Sequence, residues 1–352
     1  MATRRIGVLT SGGDASGMNA AVRAVVRTAL DGGFEVFGIF EGFNGLIEGR
    51  DRVRQMSWNS VGGIIQRGGT VIGTARSERF RTREGRLAAA RTLLESGIDN
   101  LVVIGGDGSL SIAYQLQEKG LPVVGIPKTI DNDLAATDVT FGFDSALATA
   151  CEAVDKLHTT AASHHRLMVL EVMGRYAGWI ALGAAMAGGA HMVLIPEIPF
   201  QIDKVAEAIR QRSYHGRQFA IVVVAEGAVP QGGGMFVDRQ VEDSTDSIRL
   251  GGIGRWVAGE LESRLEWEAR ATVLGHLQRG GAPTAYDRVL ASRFGVAAAN
   301  LVAQGEKGRM VCVHGIDIES VPLAEAVKML RRVDPASQLV ESARSLGISF
   351  GD

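Results

Sequence analysis

One pattern constrains the fold of this chain more than any other. A short apolar run, a glycine or polar turn and a helical stretch recur along it. Residues 5–9 lead through 10–17 into a helical stretch over 18–30. Residues 101–104 lead through Gly105-Gly106-Asp107-Gly108 into one over 109–118. Residues 123–126 run into 127–133. Residues 167–172 precede Met173-Gly174-Arg175 and a helix that starts near Tyr176. Two further runs, 219–225 and 271–274, end at Glu226-Gly227 and Gly275-His276. The runs are continuously apolar rather than alternating, as expected of strands covered on both faces. Strands alternating with helices predict parallel α/β sheets, and there are too many strands for one modest sheet. The expectation is two Rossmann-like, three-layer α/β/α domains. In such sheets ligands bind at the carboxyl ends of strands, which is where the distinctive polar residues fall.

Composition narrows the function classes. Of 352 residues 46 are glycine, roughly twice the usual ~7%, with no collagen-like period. Net charge is −2, so no basic surplus points to nucleic acid or an anionic membrane. Cys151 and Cys312 stand far apart and no CxxC exists, which reads as a reducing, cytoplasmic setting without a zinc cluster. The N-terminal residues lack a signal-peptide pattern. The longest apolar tract, residues 179–196, contains Gly188-Gly189 and His191 and ends at Pro196-Glu197. It reads as a helix, a turn and a short strand rather than a membrane span.

Four turns carry chemistry. Ser11-Gly12-Gly13-Asp14-Ala15-Ser16-Gly17 joins a strand to a helix, whose N-terminal N–H groups suit phosphate; an ordinary tight turn would use the same glycines. It is neither a Walker A loop nor a dinucleotide fingerprint, because Met18-Asn19 replaces Lys-Ser/Thr and GxGxxG is absent. In Gly105-Gly106-Asp107-Gly108-Ser109 the glycines let polyphosphate approach the backbone, and Asp107 can hold a hydrated Mg2+. Pro127-Lys128-Thr129-Ile130-Asp131-Asn132-Asp133 packs two carboxylates, a hydroxyl and an ammonium into seven residues. That set suits a base for a sugar hydroxyl, with Asp131 and Asp133 sharing a face if the segment is extended. His276-Leu277-Gln278-Arg279-Gly280-Gly281 resembles a sugar-phosphate clamp. Arg76, Arg81, Arg166, Arg175, Arg270 and Arg279 fall beside glycines or at strand edges, where guanidinium can bind phosphate. The His164-His165 pair lacks the further spacing of a metal site.

These blocks, in this order, resemble 6-phosphofructokinases of the bacterial type, and they cover nearly the whole chain. The resemblance implies Mg2+-dependent phosphoryl transfer to O1 of fructose 6-phosphate. It divides the chain into a larger nucleotide- or polyphosphate-binding domain, 1–142 with 275–325, and a smaller sugar-phosphate-binding domain, 143–274 with 326–352. By position, Asp131 is the base on the 1-hydroxyl. Thr129 and Arg175 stabilise the transferring group, with Arg76 and the Gly13 backbone on the donor side. Gly12, Ser77, Gly106, Gly108, Ser109 and Lys128 complete the donor site, and Asp107 holds Mg2+. Thr129, Asp131, Asp133, Met173, Gly174, Arg175, Glu226, His276 and Arg279 bind the sugar phosphate. Arg166 and Arg270 match two arginines that reach a neighbouring subunit's site, so a homo-oligomer, commonly a tetramer, is implied.

Two departures bear on donor and control. Gly108 resembles ATP users, because a carboxylate there would repel a nucleotide phosphate. Lys128 resembles pyrophosphate users. The steric and charge argument at Gly108 favours ATP, with pyrophosphate as the alternative donor. Arg23, Arg27 and Arg217 match a cationic effector site, but Trp58, His158, His191 and Gln218 replace charged ligands, so the usual response to ADP or phosphoenolpyruvate is expected to be weak or absent. A kinase for NAD or a lipid would share Gly-Gly-Asp-Gly but lacks the 129–133 and 276–281 blocks. A non-catalytic sugar-phosphate sensor would need neither Asp131 nor Asp107.

Overall fold

The structure, a computed structural model, describes residues 4–214, 219–240 and 248–352. Arg217 and Gln218 lie outside the described residues. The chain divides into two compact units: residues up to Ser145 with Arg279–Leu330, and Ala146–Gln278 with Arg331–Asp352.

In chain order the first unit contains β1 (Arg5–Thr10), α1 (Met18–Asp31), β2 (Glu35–Ile39), α2 (Gly42–Glu48), β3 (Val53–Met56), α3 (Arg83–Ser96), β4 (Asn100–Gly105), α4 (Asp107–Gln117) and β5 (Val123–Pro127). The second contains most of α5 (Phe143–His164), then β6 (Leu167–Val172), α6 (Trp179–Gly188), β7 (Met192–Leu194), α7 (Ile202–Tyr214), β8 (Ala220–Ala225), β9 (Val237–Gln240), β10 (Ile248–Leu250), α8 (Ile253–Leu265) and β11 (Ala269–Val273). The chain then returns to the first unit for α9 (Ala285–Ala303), β12 (Arg309–His314), β13 (Asp317–Pro322) and α10 (Leu323–Ala326). It ends in the second with α11 (Gln338–Ser345).

The first unit's sheet has seven strands in the order β13-β12-β5-β4-β1-β2-β3. Its five central strands are parallel, and β13 and β3 pair antiparallel at the edges. Both faces are apolar, and successive side chains alternate between them. Ile6, Val8, Val102 and Ile104 face α1 and α9, whereas Leu9, Leu101 and Val103 face α2, α3, α4 and α10. The two-sided core explains the unbroken apolar runs. Helices α1 and α9 approach closely because position 295 is glycine: a Cβ there would stand 2.6 Å from the Ala24 Cβ.

The second unit's sheet has four parallel strands, β11-β6-β8-β7. Leu167, Val169, Val222 and Val224 pack with Val205 and Ile209 of α7 and Val257 and Leu261 of α8. A two-stranded antiparallel pair, β9 with β10, precedes α8.

Several element ends differ from the sequence pattern. Helix α4 starts at Asp107 rather than 109, because Gly106 is already its N-cap. Helix α6 starts at Trp179 rather than near Tyr176; Gly174, at φ 138°, turns the chain first. Strand β11 runs over Ala269–Val273 rather than 271–274. The tract 179–196 is α6, a turn and β7, and no described helix is long and apolar enough to cross a membrane. Residues 275–278 belong with the second unit rather than the first, since Gln278 Oε1 accepts from the Met173 N–H at 2.8 Å.

Candidate active site

In the first unit the ends of β1, β4 and β5 lie side by side. The turn after β1 is held open by its neighbours. Ser11 N–H donates to the Ile104 carbonyl (3.0 Å), Thr74 Oγ1 to the Gly12 carbonyl (2.9 Å) and Thr10 Oγ1 to the Gly73 carbonyl (2.7 Å). Gly12 sits at φ 85°, in the left-handed region that disfavours a side chain. Helix α1 has no side-chain cap and no acidic residue in its first turn. Helix α4 likewise has no side-chain cap. Two helices thus open at strand ends with their N-terminal N–H groups and positive dipole ends left for a ligand.

Asn19 was not singled out by the sequence, yet it fixes the loop that carries Arg76. Its amide donates to the carbonyls of Arg67 (3.0 Å) and Gly68 (3.2 Å), and its oxygen accepts from Val71 N–H (2.7 Å). Further along, the Ser77 hydroxyl accepts from Phe80 N–H (3.2 Å), which fixes a short 3-10 helix (Arg79–Arg81).

Lys128, 3% exposed, donates from Nζ to the Gly13 carbonyl. Burial, then the nearby charge of Arg279, lowers its pKa to about 7; Arg76 pushes the same way, while Asp14 and Asp133 push it up. Arg279 donates to the Asp14 carbonyl (3.0 Å), and a Cβ at Gly13 would meet its guanidinium at 2.9 Å. Arg279 therefore stands at the Gly13-Asp14 turn.

The Asp107 carboxyl opens α4 and is raised by burial. A Cβ at Gly108 would meet nothing within 4 Å, whereas one at Gly106 would stand 3.2 Å from the Lys128 carbonyl and 3.7 Å from Thr129 Cβ. The segment after β5 is turned rather than extended, with Asn132 at φ 51°. Thr129 Oγ1 donates to Asp133 Oδ1 (3.1 Å) and accepts from Asp131 N–H (3.1 Å). Burial, then the charge of Asp131, raises Asp133 to about 7. The Asp131 charge thus still reaches Asp133 despite the turn. Asp287, fully buried, anchors the far end of this segment. It accepts from Gly142 N–H (2.9 Å), Ser145 N–H (2.8 Å) and Ser145 Oγ (2.6 Å).

In the second unit a cleft of about 270 Å3 is lined by Glu171, Met173, Glu226, Asp238, Arg255 and His276 among others. Gly227 N–H donates to the Gly174 carbonyl (3.1 Å) and Glu226 N–H to the Val172 carbonyl (2.9 Å), so the ends of β6 and β8 form one wall. Arg175 stacks on Tyr176, 5.1 Å from its ring centroid. Glu171, 2% exposed, accepts from Gly254 N–H (2.8 Å) and holds the start of α8. A lone acid inside the apolar run 167–172 was the signal available for it. Arg166 and Arg270 meet on one surface carboxylate: Arg166 Nε pairs with Glu268 at 2.5 Å, and Arg270 pairs with its other oxygen.

The described residues at the positions compared with an effector site fall into two groups. In the first unit the Arg27 guanidinium lies 4.9 Å over the Trp58 ring. In the second, His158 and His191 form an edge-to-face ring cluster with Phe219.

Two helix starts without side-chain caps, beside the Asp107, Asp131 and Asp133 carboxylates, fit the α/β phosphotransferase class that the relatives of this chain define. A phosphofructokinase family model matches residues 5–302, and the chain belongs to that family. It is 52% identical over 358 residues to an ATP-dependent 6-phosphofructokinase of Chloroflexus aurantiacus, covering 99% of this chain and 98% of that one. It is 49% identical to a pyrophosphate–fructose 6-phosphate 1-phosphotransferase of Amycolatopsis methanolica, covering 94% and 96%. Phosphofructokinase from Saccharomyces cerevisiae superposes with a TM-score of 0.82 at 38% identity over 98% of this chain; the match spans 47% of the yeast chain. A pyrophosphate-dependent phosphofructokinase of Marinobacter aquaeolei shares the fold, with a TM-score of 0.81 at 23% identity over 98% of this chain and 90% of that one.

Proposed function

We propose that the chain transfers the terminal phosphoryl group of ATP to O1 of fructose 6-phosphate, giving fructose 1,6-bisphosphate. The observation that carries this reading is the adjacency of the Gly105–Asp107 strand end to the Thr129–Asp133 segment. That adjacency, with a glycine-rich turn suited to polyphosphate beside the Asp131 and Asp133 carboxylates, supports the reading. Backbone N–H groups at the starts of α1 and α4 hold donor phosphates, together with Gly12, Gly13, Arg76 and Lys128. Asp131 takes the proton of the 1-hydroxyl as its oxygen attacks the terminal phosphorus and the bond to the donor's bridging oxygen breaks. Thr129 orients Asp131 and Asp133. Arg175 offsets charge on the transferring group. Met173, Gly174, Glu226 and His276 hold the sugar phosphate.

Asp107 fits Mg2+: a half-buried carboxylate whose pKa burial alone raises is one that a cation would stabilise, and Mg2+ is commonly held by one or two carboxylates plus substrate phosphates. Bound there, the ion would neutralise negative charge on the donor phosphates.

ATP is favoured as donor over pyrophosphate because position 108 carries no carboxylate and opens on free space. The assembly is read as a homo-oligomer, a tetramer by family resemblance, in which Arg166 and Arg270 complete a neighbour's site. The setting is read as the cytoplasm. One coupled assay of fructose 6-phosphate phosphorylation, run in parallel with ATP and with pyrophosphate, tests the reading. Turnover with ATP is expected. Turnover with pyrophosphate alone would overturn the donor assignment, and no turnover with either would overturn the activity.

A further inference from the structure

Helices α3 and α4 both cover the same face of the first unit's sheet, yet they leave a groove between them. Its volume is about 630 Å3, within the ~300–1,000 Å3 typical of small-molecule sites. Leu93, Ile98 and Leu116 are buried beneath it. Along its wall stand Leu87 and Leu94 of α3, 57% and 82% exposed. These two leucines are seven residues apart and share a helix face with Ala90, so α3 presents a second apolar stripe along the groove besides Ala89 and Leu93, which pack into the core. The charge of the lining has one sign. Arg83, Arg86 and Lys119 line the groove, and no Asp or Glu does. Arg86 is held in place at the head of α3 by the carbonyls of Phe80 (3.4 Å) and Arg81.

We propose that this groove is a binding site for a free amphipathic carboxylate, a single acyl chain with an anionic head. The apolar lining gains by covering the chain, since each buried methylene contributes about 0.8 kcal/mol. The cationic side chains select the head, with guanidinium matching carboxylate bidentately. A concave groove between two helices takes in one chain along its length, whereas a flat bilayer surface does not enter it. The site is distinct from the strand ends that carry the donor residues.

Calorimetric titration of the full chain with decanoate, below its micellar concentration, tests the proposal. Saturable binding at one site per chain is expected. Leu94→Asp and, independently, Lys119→Glu should each weaken it by about tenfold or more; both positions are exposed, so the melting temperature should stay at the wild-type value. Decyltrimethylammonium, with the opposite head charge, should bind at least about tenfold more weakly than decanoate. Absence of saturable binding, equal affinity for the cationic amphiphile, or unchanged affinity in both variants would overturn the proposal. Retention on phosphatidylglycerol vesicles without binding of free decanoate would overturn it in favour of a membrane-facing surface. Self-association abolished by Leu94→Asp, again without decanoate binding, would overturn it in favour of an interface between copies.

Discussion

The ammonium of Lys128, just past the end of β5, donates to the carbonyl oxygen of Gly13, in the turn after β1. Strand β4 lies between those two strands, so the lysine bridges over the strand end that carries Gly105 and Gly106. Its pKa is lowered to about 7 from 10.5. Between those values the folded chain binds fewer protons at this group than the unfolded chain. The group therefore costs stability below pH 7, and that cost is relieved as pH rises from about 7 to 10.5. A bound polyphosphate favours the ammonium. Binding of a non-hydrolysable Mg-ATP analogue at pH 8 is expected to take up close to one proton. Calorimetry in buffers of different ionisation enthalpy reads this directly, and Lys128→Met should abolish it.

The Asp131–Asp133 pair carries the opposite sign. Asp133 is raised to about 7, so the folded chain binds more protons there between about 4 and 7, and stability falls as pH rises through that window. Asp133→Asn should raise the melting temperature at pH 8, and the gain should vanish by about pH 4. A gain that is equal at both pH values would show that Asp133 titrates normally. Asp131→Ser should lower kcat by roughly 10²–10⁴-fold, with the dissociation constant for fructose 6-phosphate nearly unchanged. A variant of normal kcat would remove Asp131 as the base.

At position 108 a side chain has room within the protein, so Gly108→Asp should fold normally. Its effect falls on the ligand: kcat/KM for ATP should drop far more than kcat/KM for pyrophosphate. Equal losses with both donors would leave position 108 without a part in donor choice.

Asp287 is a structural anchor for the segment that ends in Gly142. Asp287→Ala deletes three hydrogen bonds to a fully buried carboxylate and should cost roughly 3–5 kcal/mol in urea unfolding. Ser145→Ala deletes one of them and should cost about 1–2 kcal/mol.

Arg166 and Arg270 share Glu268 on the surface of the second unit. If they complete a neighbour's site, Arg270→Ala and Asp131→Ser are each inactive alone but recover activity when co-assembled, because one site in the mixed pair regains both groups. Titrating one variant into the other after dissociation and reassembly measures this; a mixture that stays inactive removes the shared site.

Much of the scaffold was legible because its signals are local. The run 167–172 coincides with β6, and 18–30 falls within α1, each marked by apolar residues next to glycine. The glycine-rich turns that follow β1 and β4 were legible for the same reason. Less visible were groups whose partners are remote in sequence. Asn19 binds a loop near residue 70, and Asp287 binds residues 142 and 145, so neither position has a local pattern to betray it. The partner of Arg279 was hidden in the same way, since its guanidinium donates to the carbonyl of Asp14, far off in sequence. The α3–α4 groove was hidden too, because an exposed leucine stripe reads in sequence like a buried one.

Strand β5 has its final neighbour, β12, on the far side of an entire unit of chain. During synthesis the open edge of β5 must wait until residue 309 has been made before that pairing can form. At translation speeds of about 5–20 residues per second the delay after Pro127 is roughly 10–35 s. Throughout it, a nascent chain that already carries the Gly105–Ser109 turn exposes the open edge of one fully apolar strand to every other chain nearby.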